Sequence, residues 1–286
     1  MFVLVKDLLL RLVPHPLLAT VHRHIRYGIP DLVDTLLGRR DPLVPRRSLD
    51  FVGGGDFKGP GDEFMRYFVG FAHLAPDASV LDVGCGIGRM ARPLTKHLSA
   101  NGRYEGFDID ARGTDWCTKH ISARFPNFKF QVADIYNKMY NPSGTTKPSQ
   151  YRFPFPDNSF DFVFSTSVFT HMYPRDVETY LAEIARVLKP GGCTLNTFFL
   201  DNPESQALVA GGKSALAIQH QMDGFKTVEP LVPEHAIGLP DTFVQNLHAS
   251  CGLHIRAIEP GKWCGREKFL SFQDIVVADK PVATGT

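Results

Sequence analysis

The stretch Val80-Leu-Asp-Val-Gly-Cys-Gly-Ile-Gly-Arg89 decides the fold. Val80, Leu81 and Val83 form a short apolar strand, and the glycines at 84, 86 and 88 turn the chain into a helix beginning near Met90. Glycine removes the side chain where a ligand must approach the backbone closely. Dinucleotide-binding turns space their glycines G-x-G-x-x-G, whereas here the third glycine arrives one residue early. Asp82 sits in the strand end, where it would repel a pyrophosphate and attract a cationic ligand.

Outward from this turn, strand-like and helix-like runs alternate. Met90–Leu98 reads as a helix, Arg103–Phe107 as a strand, Thr114–Phe125 as a helix and Phe128–Val132 as a strand. Ser159–Ser165 is another strand. Arg175–Leu188 is a helix with Val177, Leu181, Ile184, Ala185 and Leu188 on one face, closed by Pro190-Gly191-Gly192. Cys193–Phe199 follows as a fifth strand. Such alternation requires crossovers and a mainly parallel sheet covered on both faces. Leu253–Ile258 and Phe269–Ala278, joined around Gly261–Gly265, read as a terminal antiparallel pair. The expected class is therefore α/β, doubly wound.

Acids recur where strands end. Gly106-Phe-Asp108-Ile-Asp110 places Asp108 20 residues beyond Gly88, within reach of ribose hydroxyls, and Val132-Ala-Asp134-Ile135 places another acid on the same edge.

With VLDVGCGIGR, GFDID, VADI, FPDNSFDFVFS and EIARVLKPGG in these positions, the chain resembles the class I (Rossmann-like, seven-stranded) S-adenosylmethionine-dependent methyltransferases over roughly residues 60–200. The resemblance implies S-adenosylmethionine as cofactor. It assigns Gly84, Cys85, Gly86 and Gly88 to the methionine part and Asp82 to its amino group. Asp108 falls to the ribose, Ile109, Asp134 and Ile135 to the adenine, Ser165 to the methionine moiety and Arg89 to the cofactor carboxylate.

The acceptor side departs from the family pattern. Asp134 and Phe155 are 21 positions apart, and the Tyr-rich loop between them, with Tyr140 and Tyr151, reads as a lid or acceptor wall. In Val168-Phe-Thr-His171-Met-Tyr173-Pro, His171 is the first candidate for a general base, because a hydroxyl is weakly nucleophilic and imidazole titrates in the useful range. A backbone-bonded His171 that only shapes the turn is the competing reading. Tyr173 is a candidate donor to the acceptor and His235 a second candidate base. Topology sends Gly261–Arg266 to the ligand edge, so Trp263 and Arg266 are candidates for stacking on a saccharide or bonding an anion, or else for packing.

The expected function is O-methylation of a small-molecule or glycan-type hydroxyl, with C- or N-methylation as the alternative within the family. A nicotinamide-dependent oxidoreductase is disfavoured by the early third glycine and Asp82, and a non-catalytic cofactor-binding scaffold by the intact motifs. Nucleic-acid amino-methylation would want Asp/Asn-Pro-Pro-Tyr/Phe where Ser165-Thr-Ser-Val stands. The formal net charge of +1 likewise gives no support to a nucleic-acid partner.

Five cysteines, odd in number and without a C-x-x-C pair, argue against a disulfide framework and a zinc site. Acidic ligands for a metal are not clustered. Residues 1–60 read as a helical cap or oligomer interface before a catalytic domain over 61–286, with acceptor-side insertions at about 136–156 and 201–240. The apolar N-terminus is too short and too interrupted to span a bilayer and lacks a cleavage site, so the expectation is a cytoplasmic protein. Peripheral membrane contact through that segment is the other account of its apolar residues.

Overall fold

Alternate residues of the central strands feed two separate cores. On β4 (Phe160–Ser165), Phe160 and Val163 enter one hydrophobic cluster while Phe162 and Phe164 enter the other. On β1 (Ser79–Val83), Leu81 and Val83 join the first and Val80 the second. Side chains alternate across a strand, so a sheet apolar on both sides must be sandwiched between helices.

The computed structural model describes residues 28–47, 49, 56–138 and 141–282. Besides β1 and β4, the central sheet contains β2 (Arg103–Asp108), β3 (Phe128–Val132) and β5 (Leu188–Asp201), all parallel in the order β3-β2-β1-β4-β5. β9 (His254–Glu259) and β10 (Asp274–Asp279) complete it, β10 lying antiparallel to both β5 and β9. Cys193 and Leu195 of β5 enter the second core, and β10 feeds both, Val276 and Ala278 the first and Ile275 and Val277 the second.

Three further strands extend the expected seven. Past Phe198, where β10 lets go, Phe199–Asp201 pair in parallel with β8 (Ile237–Pro240). β7 (Lys226–Thr227) and β6 (His220–Gln221) then follow antiparallel. The small extension grows from the carboxyl end of β5 and carries the 201–240 segment to the ligand edge.

The second core is roofed by α2 (Lys58–Gly70), α3 (Ala91–Leu94) and α4 (Ala111–Cys117), the first by α5 (Pro174–Val187) and α7 (Asp241–Ser250). Pro174 supplies a first turn that needs no N–H, and Val177, Leu181 and Ile184 fall on the buried face of α5. α4 starts three residues earlier than its apolar pattern predicts, because the Asp110 carboxylate caps the Arg112 N–H at 2.8 Å. It then widens into a π turn over Thr118–Ser122. The helix expected over Met90–Leu98 is a single α turn, and α6 (Pro203–Ala210) and α7 stand where no helix is expected.

Of the expected N-terminal cap, residues 1–27 lie outside the described residues; α1 (Ile29–Leu36) and α2 are the helices described before β1. Among the described residues no helix is long and apolar enough to cross a membrane.

Candidate active site

Four loops leaving β1, β2, β3 and β4 enclose a cavity of about 560 Å³. It sits where the strand order reverses about β1, the crevice in which open α/β sheets bind ligands. Its volume lies within the roughly 300–1,000 Å³ typical of small-molecule sites. Phe64 of α2, Tyr180 of α5 and Ser271–Gln273 before β10 close the sides.

The glycine turn is held from β2. The Phe107 carbonyl accepts from the Gly84 and Cys85 N–H groups at 2.9 and 3.0 Å. The Asp108 carboxylate accepts from the Gly86 N–H at 2.7 Å and the Asp110 N–H at 2.8 Å. Asp108 thus staples the turn to the strand end while lining the cavity, and a carboxylate has about four acceptor sites, so capacity for ligand hydroxyls is left. Burial raises its pKa.

The three glycines do different work. Gly86, at φ +53°, faces open space, and a Cβ there would enter the cavity. Gly88, at φ +79°, is a packing residue whose Cβ would come within 2.8 Å of Cys117 Sγ and of Ile121 Cδ1. At Gly84 a Cβ would strike the Val168 side chain, part of the loop after β4.

Behind the turn lies Asp82, 1% exposed. Its Oδ2 accepts from the Tyr104 hydroxyl at 2.6 Å and its Oδ1 has no hydrogen-bond partner. Burial pushes the carboxyl up to about 8, against the Tyr104 bond and with help from the nearby Asp108 charge. An incompletely bonded buried carboxyl favours its neutral form until a cation approaches. This orphaned oxygen and the open space over Gly86 suit a ligand that is cationic and must lie against the backbone, as S-adenosylmethionine is and does.

Ile109, Ile135, Cys85 and Arg89 line the cavity, with the Arg89 guanidinium 5.7 Å from the Phe57 ring centroid. Asp82 lies behind the turn and Gly88 packs within it, so neither lines the cavity, and two more residues expected there, Asp134 and Ser165, are elsewhere. Asp134 is exposed and turned into its own loop, bonding the Thr145 hydroxyl and, at 3.0 Å, its N–H. Ser165 is fully buried beneath the floor, and Thr166 and Ser167 line the wall in its place. Ser167 adopts φ +58°, a left-handed conformation uncommon without glycine. It is held there by its N–H bond to Thr197 Oγ1 at 2.8 Å and by Gln273, whose Nε2 donates to its Oγ at 2.9 Å.

His171 reaches the cavity from the short turn after β4. Its Nδ1 lies 2.7 Å from the Glu234 carbonyl oxygen. A carbonyl only accepts, so Nδ1 carries the proton and Nε2 is the unprotonated nitrogen of the neutral ring. Burial lowers the His171 pKa, opposed by the Glu234 bond. Glu234 comes from the turn Pro233–His235 ahead of β8, so the added strands orient a side chain of the central site. No periodicity or motif marks it in the sequence.

Tyr173, His235 and Tyr151 do not line the cavity. Tyr173 packs edge-on against Phe225 at 5.5 Å, its hydroxyl pushed up to about 12 by burial and then by Glu234. His235 is exposed. Tyr151 packs half-buried against Phe107 and Phe153, and Tyr140 lies outside the described residues.

Trp263 and Arg266 are core residues, correcting their expected place on the acceptor wall. The Asp274 carboxylate accepts from Trp263 Nε1 at 2.6 Å and Arg266 Nη1 at 2.8 Å, and from the Gly261 and Leu200 N–H groups at 2.7 and 2.8 Å. That hub folds the β9–β10 connection inward and leaves Ser271–Gln273 to meet the cavity. Tyr180 is the lining residue most readily missed, since its place on the apolar face of α5 marks it as core.

Residues 80–192 match the family model for a methyltransferase domain. A fatty-acid O-methyltransferase of Mycolicibacterium smegmatis is 32% identical over 142 residues, which is 48% of this chain and 44% of that protein. A sterol 24-C-methyltransferase of Gibberella zeae is 36% identical over 124 residues, 42% of this chain and 27% of that protein. The chain thus spans less than half the length of these curated relatives. Among solved structures, an S-adenosylmethionine-dependent methyltransferase of Methanosarcina mazei shares the fold, with a TM-score of 0.51, 20% identity, and coverage of 73% of this chain and 95% of that one. The turns that build the cavity floor, from Gly84 to His171, all fall within the matched residues, so the site is built inside the part of the chain that is similar to methyltransferase domains.

Proposed function

We propose that the protein transfers a methyl group from S-adenosylmethionine to the hydroxyl oxygen of a small, largely apolar acceptor. The observation that carries this reading is the place of His171 on the cavity wall with its Nδ1 2.7 Å from the Glu234 carbonyl oxygen, an arrangement that makes Nε2 the basic nitrogen. When bound, the cofactor supplies an electrophilic methyl on a cationic sulfur.

The chain's own residues would do the rest. Gly84, Cys85 and Gly86 accept the methionine part against the backbone, and Asp82, buried behind them with an unbonded Oδ1, favours the cationic end through its charge. Asp108 holds the ribose while still bonded to Gly86, Ile109 and Ile135 flank the adenine, and Arg89 meets the carboxylate. His171 takes the hydroxyl proton as the oxygen attacks, so that a weak nucleophile reacts as a stronger one. Holding both partners in line supplies much of the acceleration.

Phe64, Met90, Val168, Met172 and Phe272 on the remaining wall favour an apolar acceptor. With Trp263 and Arg266 in the core, a saccharide loses its two candidate contacts. The fatty-acid relative supports an oxygen target on an apolar molecule, while the choice of a hydroxyl rests on His171; the sterol relative keeps carbon methylation as the second reading. Incubating the protein with trideuteromethyl-labelled cofactor and a lipid-soluble cell extract, followed by mass spectrometry, tests it. The expected product carries the label on oxygen, and label on carbon or nitrogen would overturn the assignment of His171.

A further inference from the structure

α1 is turned inside out. Asp31 is buried and bonds the Arg47 N–H and guanidinium, at 2.9 and 3.1 Å, and Asp34 also bonds Arg47, so the acidic side of the helix faces the protein. Leu32, Val33 and Leu36 share the opposite face at helical spacing and are 58, 45 and 77% exposed. Leu37 continues the patch at 55%. Gly38, at φ +65°, then reverses the chain into Arg39 and Arg40.

Immediately beyond lies a second cavity of about 440 Å³, which shares no lining residue with the cofactor cavity. Arg40, Arg46, Arg124 and His120 line it together with Trp116 and the exposed Leu49, and among the described residues no carboxylate does. The His120 ring stacks on Trp116 with centroids 4.6 Å apart. The His120 pKa is lowered by burial and then by Arg124, Arg40 and Lys119, a sign of how closely these cations gather. Acids of the same stretch are engaged elsewhere, Asp31 and Asp34 with Arg47 and Asp41 with Lys58 and Arg92.

We propose that the apolar face of α1 and the arginine-lined cavity beside it form one docking surface for an anionic lipid bilayer, with leucines entering the interface and lipid phosphates meeting the arginines. An outward apolar face flanked by cations is the pattern of a helix lying in a membrane surface. Charge complementarity selects the bilayer over a second copy of this chain, because two such surfaces would oppose like charges. The surface stands apart from the cofactor cavity, so the inference does not depend on the acceptor assigned above.

The test is co-sedimentation of the full chain, without cofactor, with phosphatidylglycerol/phosphatidylcholine vesicles. Two variants are compared, Leu32→Asp/Leu36→Asp and Arg40→Gln/Arg46→Gln/Arg124→Gln. Each basic residue near an anionic surface contributes roughly a five-fold factor in partition, so the triple variant should bind about 10²-fold more weakly. The leucine variant should also lose binding, and raised salt should weaken the wild type. Melting curves confirm that both variants fold, since all five side chains lie at the surface or in the open cavity. Wild-type partition in both folded variants would overturn the proposal by placing any lipid contact elsewhere in the chain. So would a dimer that the leucine variant dissolves without vesicle binding, or protection by inorganic phosphate alone.

Discussion

Replacing Gly86 and Gly88 by alanine, one at a time, separates the ligand-facing part of the turn from its packing part. At Gly88 the new Cβ meets Cys117 and Ile121 at 2.8 Å and the residue must hold φ +79°. Overpacking of this kind costs about 1–3 kcal/mol, and a left-handed non-glycine residue about 1–2 more. The sum, roughly 2–5 kcal/mol, should lower the melting temperature by about 3–8 °C in a chain of this size. At Gly86 nothing lies within 4 Å of the Cβ and φ is +53°. Only the backbone term applies, so stability should fall by about 1–2 kcal/mol. The added methyl, however, occupies the place of the ligand. A misfit of one methyl-sized group in a tight pocket is worth about 1–3 kcal/mol, so cofactor affinity should fall at least roughly ten-fold. Thermal melts and calorimetric titration with S-adenosylmethionine read the two effects. The reasoning is refuted if Gly86→Ala binds cofactor as the wild type does, or if Gly88→Ala melts unchanged.

A His171→Ala variant should bind S-adenosylmethionine normally yet turn over about 10²-fold or more slowly, the scale of a lost general base; equal turnover would return His171 to a structural role. Because burial lowers its pKa, the wild-type rate should rise with pH and level off below the ordinary imidazole range, a profile the variant should lack. Asp82, held up to about 8 in the folded protein, contributes stability fully present below the unfolded carboxylate value and lost as pH rises through about 8. Asp82→Asn should therefore flatten the fall in melting temperature of the cofactor-free protein toward pH 8, and should reduce proton release on cofactor binding; an unchanged melting profile across pH would contradict the buried neutral carboxyl. Asp274→Ala should destabilise by about 3–5 kcal/mol, the range for stranding one partner of a buried ion pair. Chemical denaturation measures that loss, and a shift under about 1 kcal/mol would show that Glu204 and the Gly261 carbonyl, the other partners of Arg266, hold it without Asp274.

The parallel sheet was legible because its strands are buried on both faces and read as apolar runs between glycine turns, as in Val80–Val83 and Phe160–Ser165. The extension was not. β6 and β7 have two residues each and β8 reads Ile-Gly-Leu-Pro, too short and too broken for any period to show. Ala207, Leu208, Val209 and Ala210 of α6 are consecutive instead of spaced at helical intervals.

At the site, Asp82, Gly86, Asp108 and His171 were visible as residue types at strand ends. Their partners were not, because the bonds from Asp108 to Gly86, from His171 to Glu234 and from Gln273 to Ser167 join positions 22, 63 and 106 residues apart. Trp263 and Arg266 misled for a related reason. Topology put their loop on the right edge, while Asp274, a strand residue with no sequence mark of its own, drew both side chains inward.

The most direct measurement is equilibrium titration of the purified chain with S-adenosylmethionine and, separately, with NAD, repeated on Asp108→Ala. One saturable S-adenosylmethionine site per chain is expected, with no competition from NAD. Affinity in Asp108→Ala should weaken by roughly 2–3 kcal/mol, the scale of a charged hydrogen-bond set. Saturable NAD binding without S-adenosylmethionine binding, or a folded Asp108→Ala that binds S-adenosylmethionine with unchanged affinity, would contradict the account.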